Sequence, residues 1–172
     1  IKLGTGWNFK SVFSGGHGVL YAITSGGELL YFKHAENPTG EASFIVNGLR
    51  IGIGWNFKNV FSGGSGILYA ITQGGDLMYY RHRENPTGEN QFLVDGVKIG
   101  SRGWHTNRTV FSGGNNTLYA IPNSADVMYY RHPENPTGEK QFIATAKIGA
   151  GWNFKSVFSG WNGVLYAVTA RN

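Results

Sequence analysis

The sequence predicts an all-β fold, and three observations carry this prediction. Glycine is enriched, with 27 among 172 residues, and it separates short runs of aromatic and β-branched residues, a pattern typical of strands joined by tight turns. Tryptophan recurs at positions 7, 55, 104 and 152, at intervals of 48, 49 and 48 residues. Each complete interval holds four short apolar runs. Four strands in a repeat of about 48 residues is the pattern of a β-propeller blade, and the glycines argue against a helical repeat.

The four strands of a repeat follow one another in a fixed order. The first lies in the run after each tryptophan that ends in VFSG, and we expect it nearest the propeller axis. The second, LYAI or a close variant, is apolar on both faces, which predicts a central strand packed between neighbouring blades. The third reads LLYFKH, LMYYRH or VMYYRH, and the fourth, such as FIVNGLRIG, carries the charges of an outer strand.

The repeat assigns residues 1–172 to a single β-propeller domain. The approximate repeat boundaries are 7–54, 55–103 and 104–151, followed by a partial repeat at 152–172. The sequence therefore predicts three complete blades and two strands of a fourth. The partial blade would leave the apolar run VLYAV as a sheet edge, and such edges recruit other chains. We therefore expect a homo-oligomer, most simply a dimer formed through the incomplete blade.

Composition limits the classes of function. With 41% apolar residues, 15% charged residues and no cysteine, the chain is globular and has neither disulfides nor thiolate metal sites. No apolar run reaches the roughly 18 residues of a membrane span. The histidine spacing indicates no metal cluster, and we expect no cofactor. The sequence does not determine the cellular compartment, although it slightly favours secretion over the cytoplasm. The glycosylation sequons at Asn107 and Asn115 would matter only if the protein is secreted.

The repeat resembles that of a known family. The runs WNFKSVFSGG and VLYAIT, then YFKH, a polar loop and an IG pair before the next tryptophan resemble the repeat of the tachylectin-type β-propeller lectins. The resemblance extends over essentially the whole chain. It implies a ring of four-stranded blades that binds N-acetylated sugars in shallow pockets between blades. Before the fourth strand, where the family has Asp-Asn-Trp, this chain reads ASF, NQF and KQF.

A polar loop between the third and fourth strands recurs three times, as HAENPTGE, HRENPTGE and HPENPTGE. The segment NPTG favours a type I β-turn, which could be its whole role. The histidine and glutamates go beyond a turn, because a sugar site needs such hydrogen-bonding groups beside an aromatic ring. The candidate sugar-binding residues are His34, Glu36, Asn37, Thr39 and Tyr31; His82, Glu84, Asn85, Thr87 and Tyr79; His132, Glu134, Asn135, Thr137 and Tyr129; and Trp55, Trp104 and Trp152.

The tryptophans have a structural and a functional interpretation. At the repeat position, the large indole ring can act as a wedge between blades. If one edge of that indole faces a pocket, it would still offer a ligand a surface to stack on. Trp161 differs because it replaces the second glycine of SGG. We expect it to be exposed at a turn, as either a ligand contact or an anchor for another chain.

These observations predict a non-enzymatic lectin with one shallow site for each blade. Its expected partners are glycans, glycoproteins or cell-surface polysaccharides, bound multivalently, with N-acetylglucosamine-type or N-acetylgalactosamine-type hexosamines as ligands. A glycosidase is a weaker alternative, because identical acids in every repeat suit multivalent binding better than one asymmetric active site.

Two further classes stay open. The net charge of +5 would favour binding to a polyanion such as a sulfated glycan. We do not expect nucleic acid to be the partner, because the chain has no recognised nucleic-acid motif. The other class is a passive protein-interaction propeller. Two sets of repeat-equivalent cations could form a ring on one face of the propeller: Lys10, Lys58 and Lys155, and Lys33, Arg81 and Arg131.

Overall fold

The computed structural model, which describes residues 4–36, 44–84, 92–133 and 142–169, consists of antiparallel sheets built from consecutive strands. Three sheets have four strands and one has two, so the predicted β-propeller with three complete blades and a partial fourth is confirmed. Within the described ranges, no helix is long and apolar enough to cross a membrane. Residues Trp104–Thr106 form a single turn of 3-10 helix.

The strands divide among the blades in chain order. Blade 1 contains β1 (Ser11–Gly16), β2 (Val19–Ile23), β3 (Leu29–His34) and β4 (Phe44–Gly52). Blade 2 contains β5 (Asn59–Gly64), β6 (Ile67–Ile71), β7 (Leu77–His82) and β8 (Phe92–Gly100). Blade 3 contains β9 (Thr109–Gly114), β10 (Thr117–Ile121), β11 (Val127–Arg131) and β12 (Ala144–Gly149). Blade 4 contains β13 (Ser156–Trp161) and β14 (Val164–Val168).

The first strand of each blade lies at the centre of the assembly. β1 contacts β5, β5 contacts β9, and β9 contacts β13. In blades 1 to 3 the second strands are the most buried, and every residue of β6 is buried. Most residues of β12, at the other side of blade 3, are exposed. The strands of a blade therefore follow one another from the axis to the periphery in the order first to fourth, as their polarity predicts.

The core lies between adjacent sheets. One cluster joins Tyr21 and Ile23 of blade 1 to Leu68 and Ala70 of blade 2, and equivalent clusters join blade 2 to blade 3 and blade 3 to blade 4. We call the face of a blade that packs on the next blade its leading face; Tyr21 lies on it. Burying one such large apolar side chain stabilises the fold by about 1.5–3 kcal/mol. The blades therefore hold one another in place.

The recurrent VFSG motif builds a bulge at the end of each first strand. Ser62 Oγ accepts a hydrogen bond from the Gly64 amide at 2.9 Å, and the register shifts between these two residues. The same bond forms in the other three blades. Gly64 has φ +81°, a left-handed backbone that glycine adopts without steric cost. Serine and glycine thus turn the strand into its hairpin.

The repeat tryptophan is a wedge between blades. The Trp55 amide donates to the Gly27 carbonyl of blade 1 at 2.8 Å, while its indole lies near the ring of Tyr80, with centroids 4.7 Å apart. Trp55 and Trp104 are only 5% and 9% exposed. A Cβ added to Gly52 would fall on Nε1 of Trp55, so the glycine at the end of the preceding fourth strand makes room for the indole.

Replacing Gly52 with alanine tests this packing. Gly52→Ala should lower the free energy of unfolding by about 1–3 kcal/mol, because an added methyl overpacks the wedge. Gly26→Ala is the matched control, since a Cβ there would meet only Thr24 Oγ1, at 3.7 Å. Urea unfolding measures both variants. Equal stabilities for the two variants would show that the indole has room to move.

Candidate functional site

The histidine that ends the third strand packs against the preceding blade. His82 is 1% exposed, and its ring centroid lies 4.8 Å from that of Tyr31 in blade 1. His132 is equally buried and lies 5.0 Å from the ring of Tyr79 in blade 2. His34 is only half-buried, because no blade precedes blade 1 in the described part of the chain. His82 and His132 therefore fix the starts of the second and third loops to the preceding blade.

Glu84 makes the polar contact across the same junction. The Tyr21 hydroxyl donates a hydrogen bond to Glu84 Oε1 at 2.7 Å and lies 3.4 Å from His82 Nδ1. Glu84 has φ +49°, and the equivalent Glu36 has φ +53°, so the chain turns sharply at this position in both repeats. The glutamate thus ties down the loop where it leaves the third strand.

The junction also gathers positive charge. Lys33 donates from Nζ to the carbonyl of His17, and both residues lie close enough to Glu84 to favour its charged form. Burial raises the pKa of Glu84, and the hydrogen bonds from Tyr21 and the Gly66 amide oppose this rise. We call His17, Tyr21, Lys33, His82 and Glu84 the junction cluster.

The tyrosines respond to the same environment. Burial and then the nearby Glu84 charge raise the pKa of Tyr21 above its usual value and that of Tyr31 to about 12. Both phenols are therefore neutral at physiological pH. The Tyr21 hydroxyl can donate to Glu84, and the cluster offers a carboxylate acceptor and an ammonium donor at one place, which suits a ligand rich in hydroxyl and amide groups.

The other predicted site residues lie in different environments. Tyr31 and Tyr79 are 0% and 1% exposed, so they face the core and offer no ring to a ligand in this arrangement. Tyr129 and Trp152 are half-buried. Sequence reasoning missed Tyr21 as a partner of the loop, although the tyrosine of LYA recurs as faithfully as the loop itself. The following predicted residues lie outside the described ranges: Asn37, Thr39, Asn85, Thr87, Glu134, Asn135 and Thr137.

An aromatic cavity opens beside the wedge tryptophan of blade 3. It has a volume of about 470 Å³ and is lined by Trp104, Tyr130 and Phe142 together with Arg102 and Asn107. The ring centroids of Tyr130 and Phe142 lie 4.8 Å and 5.7 Å from that of Trp104. Trp104 is therefore a wedge whose edge reaches a cavity.

The two predicted rings of cations lie at opposite ends of the blades. Lys10, Lys58 and Lys155 precede the first strands, whereas Lys33, Arg81 and Arg131 lie at or near the ends of the third. Lys58 Nζ donates to the His105 carbonyl of the next blade at 2.8 Å. Three carboxylates lie at the same end of the blades as Lys10, Lys58 and Lys155. They form salt bridges with cations of the fourth strands: Glu28 with Arg50, Asp76 with Lys98, and Asp126 with Lys147.

Metal binding finds no support in the described ranges. Within them, no group of three or more His, Asp or Glu side chains could hold a metal ion.

The sheets and the contacts between them define a β-propeller. The family model described as Tachylectin matches residues 2–153. The chain therefore belongs to the Tachylectin family, and this membership implies a lectin-like, carbohydrate-binding propeller of a class that is in general not enzymatic. A search of the curated proteins finds no match.

Two solved structures are similar in fold. One comes from work on the de novo evolutionary emergence of a symmetrical protein; it is 20% identical, with a TM-score of 0.53, and the match covers 88% of this chain and 62% of that one. The other is Prp20p from Saccharomyces cerevisiae, at 12% identity and a TM-score of 0.47, covering 89% of this chain and 42% of that one. The chain thus spans less than two thirds of either solved chain.

The raised pKa of Glu84 predicts a pH-dependent stability. Because the folded-state pKa lies above the unfolded value, Glu84 stabilises the fold at low pH, and this contribution is lost as the pH rises from 4.5 through the folded-state pKa. Glu84→Gln keeps an acceptor for Tyr21 but cannot ionise. Wild type should therefore lose stability relative to Glu84→Gln over this range, as thermal melts at several pH values would measure.

The matched control is Glu36→Gln, at the equivalent but exposed position of blade 1. The difference in pH profile between wild type and Glu84→Gln should persist when both proteins also carry Glu36→Gln. Parallel profiles for wild type and Glu84→Gln would contradict the assignment of a raised pKa to the junction.

Proposed function

We propose that this chain is a multivalent, non-enzymatic lectin that binds N-acetylated hexosamines at shallow sites, one for each polar loop. The observation that carries the proposal is the junction cluster, in which the start of a recurrent polar loop is held by the preceding blade. The Tachylectin family membership supports glycans as the ligand class. Fixing the start of a loop lowers the conformational entropy that the loop has to lose when it binds a ligand.

The two ends of the loop favour a sugar over other polar ligands. In blade 2 the loop leaves the junction at Glu84 and returns at Phe92, whose ring lies 6.0 Å from that of Trp55. A polar cluster therefore lies at one end of the loop and an aromatic group at the other. A hexosamine needs this combination, because its hydroxyl and acetamide groups form hydrogen bonds while its C–H face packs on an aromatic ring. Asn85 and Thr87 are the proposed contacts between these ends.

Repetition suits weak sites that act together. A small polar pocket open to water gives modest affinity, and several such sites on one surface gain avidity when glycans are displayed close together. Because the loop occurs three times, we propose about three similar sites in each chain.

We also propose that two copies of the chain associate through blade 4. The leading face of this blade is uncovered, with Phe158, Val164, Tyr166 and Val168 between 45% and 53% exposed, whereas the equivalent Tyr21 and Tyr69 are 0% exposed. Among the residues that the structure describes, β14 pairs with β13 alone. Pairing of β14 with its copy would complete a four-stranded sheet like those of the other blades and would cover apolar surface.

Titration with N-acetylglucosamine tests the binding sites. We expect about three weak sites with Kd values in the micromolar to millimolar range. Asn85→Ala combined with Thr87→Ala should remove about one site and leave the melting temperature nearly unchanged. Ser25→Ala combined with Asn123→Ala is the control, because these exposed turn residues lie at the opposite end of the blades. Isothermal calorimetry measures the stoichiometry.

Three results would contradict the lectin proposal. Hydrolysis of a glycan would indicate an enzyme. Binding only to sulfated glycans, with an affinity that falls steeply with salt, would indicate that the cation rings bind a polyanion. A loop variant that unfolds without changing the binding stoichiometry would indicate a purely structural turn.

Light scattering tests the association of two copies. Tyr166→Lys should shift the protein from dimer to monomer at micromolar concentration, because a charge cannot be buried on the paired face without a partner. Ile53→Lys is the control, since Ile53 is 75% exposed and lies outside blade 4. A wild-type monomer at this concentration would contradict the proposal.

A further inference from the structure

Trp161 breaks the repeat at a position where the fold needs no side chain. Blades 1 to 3 have Gly16, Gly64 and Gly114 at this position, with φ values of +83°, +81° and +77°. Trp161 adopts the same left-handed backbone, at φ +67°. Side chains disfavour this conformation, and three blades form the same bulge with glycine. The tryptophan therefore adds something that the bulge itself does not require.

The indole of Trp161 reaches across the mouth of the propeller axis. A Cβ added to Gly64 in blade 2 would lie 2.6 Å from Cη2 of Trp161, and one added to Gly114 in blade 3 would overlap Cε3. Gly15 and Gly16 of blade 1 line the same cavity. The ring thus starts on blade 4 and rests on the glycines of two other blades, with 39% of the residue still exposed. The ring therefore points to the axis.

Polar residues surround this ring. The first residue of each hairpin turn after the bulge is His17, Ser65, Asn115 or Asn162, and all four are exposed with φ between +47° and +50°. Asn115 Nδ2 donates to Asn162 Oδ1 at 3.3 Å. The cavity has a volume of about 200 Å³ and is lined by Gly15, Gly16, His17, Gly64, Ser65 and Trp161. No carboxylate, lysine or arginine is among these lining residues.

We propose that this axial mouth is a separate binding site for a single sugar ring, present once in each chain. The Trp161 indole forms the floor against the C–H face of the sugar, and His17, Ser65 and the asparagines hydrogen-bond its hydroxyl or acetamide groups. The absence of carboxylate, lysine and arginine from the lining favours a neutral ligand. The volume is below the roughly 300–1,000 Å³ of common ligand pockets, which favours a monosaccharide. The choice of an N-acetylated hexosamine rests on the proposed function.

Indole N–H signals in NMR spectra test the axial mouth independently of the loops. The Trp161 signal is assigned as the one that is missing from the spectra of both Trp161→Gly and Trp161→Phe. Glycine is the residue of the other three blades, so Trp161→Gly should fold, and Trp161→Phe keeps an aromatic floor. On titration with N-acetylglucosamine, we expect the Trp161 signal to shift and saturate. The axial site adds one to the three loop sites, so calorimetry should count about four sites in wild type and in Trp161→Phe and about three in Trp161→Gly.

The outcomes separate this proposal from the proposed function. A Trp161 signal that stays fixed while the amides of Lys33, His82 and Glu84 shift overturns the axial site and leaves the loop sites standing. A shift confined to Trp161, Ser65, Asn115 and Asn162 supports the axial site and overturns the loop sites. If no signal moves at millimolar sugar, both proposals fail. Loss of a site in Trp161→Phe as well as in Trp161→Gly would contradict the role of the ring as a floor.

Discussion

The packing of an indole over a glycine between consecutive blades is the contact on which the rest of the molecule depends. Trp55 fills the gap between blades 1 and 2 only because Gly52 carries no side chain, and its amide is bonded to the turn of blade 1 at Gly27. The wedge spaces two sheets whose core contacts are apolar and non-directional. Once this spacing is set, the leading face of one blade can bury Tyr21 completely against the next.

The polar junction follows from the same spacing. With the blades fixed, the buried Tyr21 hydroxyl lies within hydrogen-bonding distance of Glu84, and the His82 ring packs on Tyr31. A buried polar group must find a partner, and here the partner belongs to the recurrent loop. The loop is thus a structural link between blades at its start, through His82 and Glu84.

Sequence periodicity predicted the fold well, because glycine spacing and strand alternation are local signals. The strand order, the buried LYA strand and the wedge tryptophan all follow from them. Contacts between repeats were harder to predict. The sequence offered Tyr31 and Tyr79 as ligand contacts, but both are covered by the next blade, and it did not pair Tyr21 with Glu84. These contacts join residues more than 40 positions apart, and only the curvature of the ring brings them together. The same applies to Trp161, whose turn was predictable but whose reach across the axis was not.

A crystal structure of the protein with N-acetylglucosamine tests most directly whether the junctions between blades are the functional sites. The sugar should lie at the loop end of the junction between blades 1 and 2, within hydrogen-bonding distance of Glu84 or Lys33, with a second molecule at the equivalent junction between blades 2 and 3. Crystals that hold the sugar only at the periphery of the blades, or that leave both junctions empty at saturating concentration, would contradict this assignment.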